Sequence, residues 1–189
     1  FLEDEEQRND MKAEIVEMEK IVAALLEAER LSVRHAKLVR TDVVVGELIS
    51  ELIDDFFSRD RERIEVHEPD KPISASIDEA RITLLLKNLL SNALRYSKPE
   101  DGPIELIYCK EDSELVFTVR DRGPGLSREQ AEHIGEPFYR SDPSRDRASG
   151  GTGLGLYLAM LIARAHQGTL ELVDIDSPGA CFEIRLPLV

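Results

Sequence analysis

Apolar residues near the N-terminus recur at alternating spacings of four and three, between position 11 and about position 34. The residues of this seam are Met11, Ile15, Met18, Val22 and Leu25. Such a heptad pattern predicts a long helix with one apolar face that another element must cover. Either the helix folds onto its own domain or it joins another helix in a bundle, and the pattern favours the bundle.

Further helices are indicated by apolar faces at helical spacing. One runs from position 44 to about 59, and another runs from 79 to 96 with Asp78 in the N-cap position. A third begins near Leu154, after a glycine-rich stretch, and is expected to end with Gly168 as its C-cap.

Short alternating runs of apolar and polar residues predict strands. They cover positions 63–67, 73–77, 104–108, 115–119, 169–173 and 180–186. The two central runs flank the polar turn 111–113 as a hairpin, whereas 121–153 has little regular pattern and predicts a long functional or disordered loop. Helices on one face of a mostly antiparallel sheet give an α+β chain, built as a two-layer α/β sandwich and preceded by a long N-terminal helix.

Composition limits this picture to one well-buried domain plus an extra element, because the chain has 189 residues of which 42% are hydrophobic. Acidic residues outnumber Lys and Arg by 38 to 24, and the resulting net charge of -14 disfavours nucleic acid and anionic membranes as partners. No apolar run has the length of a bilayer span, and the first residue is not Met. We therefore expect a soluble, cytoplasmic fragment of a longer protein.

Cys109 and Cys181 lack metal-ligand spacing and are expected to be buried thiols.

Four glycines fall within the six residues 150–155, directly before the apolar run of the last predicted helix. Glycine permits positive φ angles and close approach of the backbone. A helix N-terminus presents unpaired N–H groups and a partial positive charge. This arrangement suits a phosphate, although a flexible loop that leads into a packed helix has the same pattern.

Asn88 and Asn92 share one face of the helix 79–96, whose other residues are largely apolar. Buried amides need polar partners, and an amide oxygen can complete the coordination of Mg²⁺ whose other ligands are water and phosphate. The alternative is that the two side chains tie the helix to a loop.

Asp121 follows a predicted strand and precedes two glycines, Gly123 and Gly125. A carboxylate at a strand end can accept a hydrogen bond from an exocyclic amine. Asp and Gly also favour a simple strand-ending turn, so both interpretations stay open.

The loop that follows contains an aromatic pair, Phe138 and Tyr139, which can anchor a lid. Arg140 is a candidate for contact with a triphosphate. Arg145 and Arg147, further along the same loop, are expected to be solvated.

In their order along the chain, these motifs resemble the N, G1, F and G2 boxes of sensor histidine kinases. They are similar to the catalytic ATP-binding domain of the GHKL superfamily, which includes gyrase, heat-shock chaperones, histidine kinases and mismatch-repair proteins. The resemblance implies a GHKL (Bergerat) ATP-binding domain at 43–189. It implies that 1–42 is the second helix of the dimerisation and phosphoacceptor hairpin, followed by a linker.

The resemblance also implies roles for individual residues. Asn92 would coordinate Mg²⁺ between the phosphates of ATP with Asn88 beside it, and Arg95 would reach a phosphate. Tyr96 would stack on adenine, Asp121 would accept a hydrogen bond from the adenine 6-amino group, and Phe138 would secure the lid. The remaining cofactor-binding residues implied are Gly123, Gly125, Arg140, Gly151, Thr152, Gly153, Leu154 and Gly155.

The same resemblance predicts a reaction and partners. ATP-hydrolysing relatives have a Glu in the place of Asn88, and Asn is a poor general base, so little intrinsic ATPase activity is expected. The γ-phosphate would go to a histidine absent from this chain, on the phosphoacceptor helix of a membrane-bound homodimeric parent, and then to a response-regulator aspartate. His35 is expected to be a surface histidine. The alternatives are a GHKL Ser/Thr protein kinase and a non-catalytic nucleotide-sensing or docking module.

Overall fold

The structure is a computed structural model that describes residues 2–32, 37–140, 152–174 and 178–188. Its helices are α1 (Leu2–Ser32), α2 (Val45–Phe56), α3 (Glu79–Tyr96), α4 (Arg128–His133) and α5 (Gly155–Ala165). Its strands are β1 (Thr41–Val44), β2 (Ile64–His67), β3 (Ser74–Ile77), β4 (Ile104–Glu111), β5 (Glu114–Arg120), β6 (Thr169–Val173) and β7 (Cys181–Pro187). Short 3₁₀ helices cover Ser58–Arg63 and Pro99–Asp101. None of the described helices is both long enough and apolar enough to cross a membrane.

Five strands form a twisted sheet in the order β2-β4-β5-β7-β6. Only the β2–β4 pair is parallel, and the other neighbours in this sheet are antiparallel. The predicted hairpin is confirmed by the pairing of β4 with β5, in which Glu111 lies opposite Glu114 across the turn. β1 and β3 form a separate antiparallel pair. The predicted α+β sandwich with a mostly antiparallel sheet is therefore correct.

The core lies between one face of this sheet and helices α2, α3 and α5. Alternate residues of β4 are buried, as expected for a strand with one face on a core. Phe117 of β5 is fully buried at the centre. The buried face of α3 consists of Ile82, Leu85, Leu86, Leu89, Leu90 and Ala93. Asp78 caps α3 as predicted, since its Oδ1 atom accepts a hydrogen bond from the Arg81 backbone N–H at 3.2 Å.

Helix α1 is present, but its predicted seam does not pack on the domain. Met11, Ile15, Met18, Val22 and Leu25 are between 43% and 65% exposed. The residues that α1 buries against the domain are Ala28 and Leu31, near its C-terminal end. Association of the exposed seam with another helix stays a prediction, and so does the boundary between 1–42 and 43–189.

Three local features differ from the sequence-based expectations. Strand β1 was not predicted, because only Val43 among its four residues is buried and the alternation is too short to be recognised. The segment 121–153 contains the helix α4, which begins with a capping box between Ser127 and Gln130. The left-handed residue that ends α5 is Gln167 (φ 63°), not Gly168. Gly168 is the next residue of this Schellman turn and donates its N–H to the Ala163 carbonyl at 2.9 Å.

Candidate functional site

A cleft of about 940 Å³ lies between α3, the start of α5 and the segment that follows β5. It brings together most of the residues predicted for a nucleotide site. Those that line it are Asn88, Asn92, Arg95, Tyr96, Asp121, Gly125, Arg140, Thr152, Gly153, Leu154 and Gly155. Of the other predicted residues, Gly123 and Phe138 do not line the cleft, and Gly151 lies outside the described residues. Arg145, Arg147 and His35 also lie outside them.

Asp121 is buried at one end of this cleft, with 6% of its surface exposed. Its Oδ1 atom accepts backbone N–H groups from Gly123 at 2.8 Å and from Ala180 at 3.1 Å. Burial raises the pKa of Asp121, and the two backbone donors act against that rise. Among the described residues, Oδ2 has no hydrogen-bond partner. The carboxylate is therefore held in one orientation by the backbone while its second oxygen can accept a hydrogen bond from a ligand.

Glycines let the backbone close around Asp121. A Cβ atom on Gly123 would lie 2.6 Å from the Tyr96 carbonyl oxygen, and one on Gly125 would lie 2.9 Å from the Gly179 carbonyl oxygen. Gly125 and Gly179 both have positive φ angles, 73° and 85°. A Cβ on Gly179 would collide with the backbone carbonyl of Asp121. Gly179 was not predicted as a site residue, and its only signal in the sequence is the Pro-Gly dipeptide of a turn.

Helix α3 directs its two asparagines into the middle of the cleft, because residues four apart share a helix face. The Nδ2 atom of Asn88 is buried and has no hydrogen-bond partner among the described residues. Such a group costs about 1–3 kcal/mol unless it is paired. Gly155 lies against this side chain, and a Cβ on it would be 3.2 Å from Asn88 Oδ1. A ligand with acceptor oxygens, such as a phosphate, fits this amide.

The described part of the glycine loop leads directly into α5. Gly153 has a φ of 71°, and a Cβ there would lie 2.8 Å from the Phe138 backbone. The Phe138 N–H donates to the Gly153 carbonyl at 3.0 Å, and Phe138 itself has a φ of 64°. At the helix start, Leu154 provides no side-chain cap. The start of α5 therefore lines the cleft without a side-chain cap, an arrangement that suits an anion.

Phe138 lies beside the described part of the glycine loop. The residue is 54% exposed, and its backbone atoms lie next to Gly153. Tyr139, its neighbour, does line the cleft. The function of Phe138 in securing a lid stays a prediction.

Several apolar residues that line the cleft were not predicted as site residues. They are Leu126, Ile134, Leu156, Leu158, Ala180 and Phe182. In the sequence they resemble ordinary core positions, so no local signal separates them from the rest of the core. Ala23, Ala24 and Glu27 of α1 also line the cleft, which was not expected for a helix assigned to a separate unit.

Comparison with protein families agrees with this geometry. Residues 77–189 match the family described as "Histidine kinase-, DNA gyrase B-, and HSP90-like ATPase". The chain belongs to this family. The asparagine pair of α3, Asp121 and the described part of the glycine loop all lie in the matched region.

Curated relatives from this family include sensor histidine kinases. The sensor histidine kinase MtrB of Mycobacterium leprae is 41% identical over 124 residues, which cover 66% of this chain and 22% of that protein. The sensor histidine kinase WalK of Bacillus subtilis is 33% identical over 174 residues, which cover 90% of this chain and 28% of that protein. This chain therefore spans less than a third of the length of either relative.

A solved structure shares the fold over nearly the whole chain. The Acinetobacter baumannii histidine kinase AdeS superposes with a TM-score of 0.77 and 20% identity, covering 95% of this chain and 83% of that one. At this identity the similarity establishes the fold alone. It supports the sheet, the helical layer and the α1 helix as parts of one known architecture.

Proposed function

We propose that this chain is the ATP-binding, phosphoryl-donating part of a two-component sensor histidine kinase. The observation that carries the proposal is the cleft itself, in which an oriented buried carboxylate, a buried unpartnered amide and an uncapped helix N-terminus lie together. The adenine 6-amino group would donate to Asp121 Oδ2. The phosphates would lie against Asn88 and the first N–H groups of α5.

Mg²⁺ fits the same donor set, and the residue that would hold it is Asn92, one turn of α3 from Asn88. Bound ATP and Mg²⁺ would supply the transferable γ-phosphoryl group and the positive charge that screens the phosphates. The chain's own residues would bind and orient: Tyr96 and Arg95 at the end of α3, Thr152 and Leu154 beside the glycine loop, and Arg140 across the cleft. Positioning and charge stabilisation, rather than covalent chemistry, supply most of the rate in such transfers.

In the proposed reaction, a histidine nitrogen of the parent protein attacks the γ-phosphorus, the bond to the β–γ bridging oxygen breaks, and ADP leaves. The phosphoryl group then passes to an aspartate of a response regulator. The parent would be a membrane-bound homodimer. Because Asn88 cannot act as a general base toward water, intrinsic ATP hydrolysis by this chain should be slow. Steady-state phosphate release at the rate of a dedicated ATPase would contradict this assignment.

Calorimetric titration with ATP, with and without Mg²⁺, tests the nucleotide site. In Asp121→Asn, the side-chain oxygen can still accept from Gly123 and Ala180, but an NH₂ group then faces the adenine amine. Two donors would meet, so we expect a loss of at least about tenfold in affinity. The matched control is Asp112→Asn, at the exposed turn between β4 and β5, which should bind ATP like the parent chain. Absence of ATP binding in the parent chain would leave the docking-module alternative.

A further inference from the structure

Two segments form the Asp121 end of the cleft, the C-terminal end of α3 and the turn that follows β5. Their backbones are in close contact, because a Cβ atom on Gly123 would lie only 2.6 Å from the Tyr96 carbonyl oxygen. Gly123 in turn donates its N–H to Asp121 Oδ1 at 2.8 Å. The spacing between Tyr96 and Asp121, the two residues proposed to hold adenine, is therefore set where these segments meet.

Ser97 joins the two segments from outside the cleft. It is 5% exposed, and it is not among the residues that line the cleft. Its backbone N–H donates to the Ala93 carbonyl at 3.0 Å and continues the hydrogen bonding of α3. Its Oγ atom accepts the Arg122 backbone N–H at 3.3 Å. A single buried hydroxyl thus links the residue after Tyr96 to the residue after Asp121.

Arg63 holds Ser97 from a second direction. Its Nη2 atom donates to the Ser97 carbonyl oxygen at 2.8 Å, and its Nη1 atom lies 3.6 Å from Asp60 Oδ1. The Arg63 side chain is 24% exposed, and it does not line the cleft either. The residue that follows α3 is therefore fixed twice, by its own hydroxyl and by an arginine of the 3₁₀ helix Ser58–Arg63.

We propose that Ser97 is a positioning residue for base selection, which acts with Arg63 to hold the Asp121 carboxylate in a fixed place relative to Tyr96. The inference rests on the proposed function, because it needs Tyr96 to stack on adenine and Asp121 to accept from the adenine amine. A hydrogen bond weakens steeply as its angle departs from the preferred range. Loosening the link at Ser97 should therefore weaken recognition of the 6-amino group more than binding of the rest of the nucleotide.

The experiment compares two nucleotides that differ only at this contact. Purine riboside 5′-triphosphate has a hydrogen atom in place of the 6-amino group of ATP, so the ratio of the two affinities reports the hydrogen bond to Asp121. Calorimetry with Mg²⁺ should show that the parent chain prefers ATP by about tenfold or more. Ser97→Ala should reduce this preference to about threefold or less, whereas Ser97→Thr keeps the hydroxyl and should keep the preference. A residue that only stabilises the fold would lower the urea midpoint without changing the ratio.

Arg63→Met tests the second contact, because methionine fills much of the same space but cannot donate to the Ser97 carbonyl. We expect it to reduce the preference for ATP by about twofold or more. Two matched controls should keep the parent chain's preference. Arg61→Met makes the same change at an exposed position of the same 3₁₀ helix, and Ser76→Ala removes a hydroxyl from β3, in the separate strand pair.

The outcomes separate this inference from the proposed function. If the parent chain binds neither nucleotide, or binds both equally, the proposed adenine site is wrong and the inference fails with it. If the parent chain prefers ATP and both Ser97→Ala and Arg63→Met keep that full preference, the inference alone is wrong. An equal loss of affinity for both nucleotides in Ser97→Ala would also overturn it, because the hydroxyl would then maintain the whole cleft rather than the base contact. Should Ser97→Ala fail to fold, the same criteria apply to Arg63→Met.

Discussion

The two ends of the cleft differ in how the chain satisfies their polar groups. At the Asp121 end, the carboxylate receives two backbone N–H donors, and glycines at 123, 125 and 179 allow the surrounding backbone to approach closely. At the other end, Asn88 Nδ2 is buried without a partner in the described residues, and the start of α5 has no side-chain cap. One end is fixed by backbone hydrogen bonds, whereas the other has a buried amide donor with no partner among the described residues.

This difference suggests that one end selects the base and the other binds the phosphates. A rigid acceptor discriminates by shape and by donor pattern, since a base with a carbonyl oxygen in place of the amine would place a second acceptor against the Asp121 carboxylate. Unpaired donors at the other end store an unfavourable free energy that a phosphate can relieve on binding. Substitutions at the Asp121 end should therefore lower both the free energy of unfolding and the affinity for nucleotide. Replacing Asn88 by an apolar residue should raise the free energy of unfolding and lower the affinity for nucleotide.

The largest effect is expected for Gly179→Ala. The new methyl group would collide with the Asp121 carbonyl and force a left-handed backbone on a residue with a Cβ. Together these should lower the free energy of unfolding by ~2–4 kcal/mol and weaken nucleotide binding. Urea denaturation measures the first effect, and calorimetry measures the second.

Gly102→Ala is the matched control for this change. It also has a positive φ, 108°, but its new Cβ would meet only the flexible side chain of Arg122 at 3.3 Å. If Gly102→Ala and Gly179→Ala lose the same stability, the backbone conformation alone accounts for the loss. The close packing around Asp121 would then contribute nothing.

A change of opposite sign is expected for Asn88→Leu. Leucine has a similar size and removes the buried unpartnered amide, so the ligand-free chain should gain about 1 kcal/mol in unfolding free energy. Affinity for an ATP analogue should fall about tenfold or more, because a phosphate loses its donor. Thermal denaturation with and without the analogue measures both effects on one sample.

Asn92→Leu serves as the comparison, since among the described residues its amide has no such buried unpartnered atom. That variant should weaken Mg²⁺-dependent binding without gaining stability. A loss of stability in Asn88→Leu would mean that the amide is already satisfied in the free chain, and the contrast between the two ends would disappear.

Local patterns predicted much of the Asp121 end and of α3. The bounds of α3 and its Asp78 cap follow from helical spacing and from a cap residue, both of which are local properties of the sequence. Asp121, Gly123 and Gly125 are also close in sequence. Gly179 was missed because its role comes from contact with a residue 58 positions earlier, which no local pattern records.

The α1 contact was missed for a related reason. The heptad seam is prominent because it contains large residues such as Met11 and Ile15, but these are exposed. The face that packs on the domain uses Ala24 and Ala28, whose small side chains add little to a hydrophobic pattern. Strand β1 and helix α4 were too short for periodicity to reveal, although the Ser127 to Gln130 capping box was a readable signal for α4.

The smallest expected effect concerns His166, which is buried with 1% of its surface exposed. Its Nε2 atom accepts the Asp78 backbone N–H at 3.1 Å, and its Nδ1 atom lies 2.9 Å from the Ile162 carbonyl oxygen. These partners require a neutral ring that carries its proton on Nδ1. A second proton on Nε2 would face the Asp78 N–H, and burial accordingly lowers the pKa of His166.

The sign of the pH dependence follows from that lowered pKa. The unfolded chain binds a proton at His166 near pH 6.5 while the folded chain does not, so the stability that His166 contributes is complete above this pH and is lost as the pH falls toward the folded pKa. The loss is at most about 1.4 kcal/mol per pH unit. Urea midpoints of the parent chain and of His166→Asn at pH 7.5 and 5.5 measure this loss, and the variant should lose less stability on acidification.

His133→Asn is the control. The Glu136 carboxylate raises the pKa of this exposed histidine, so replacing His133 cannot reduce a loss of stability that acid causes. If His166→Asn and the parent chain respond equally to pH, the ring is not held neutral between α3 and α5.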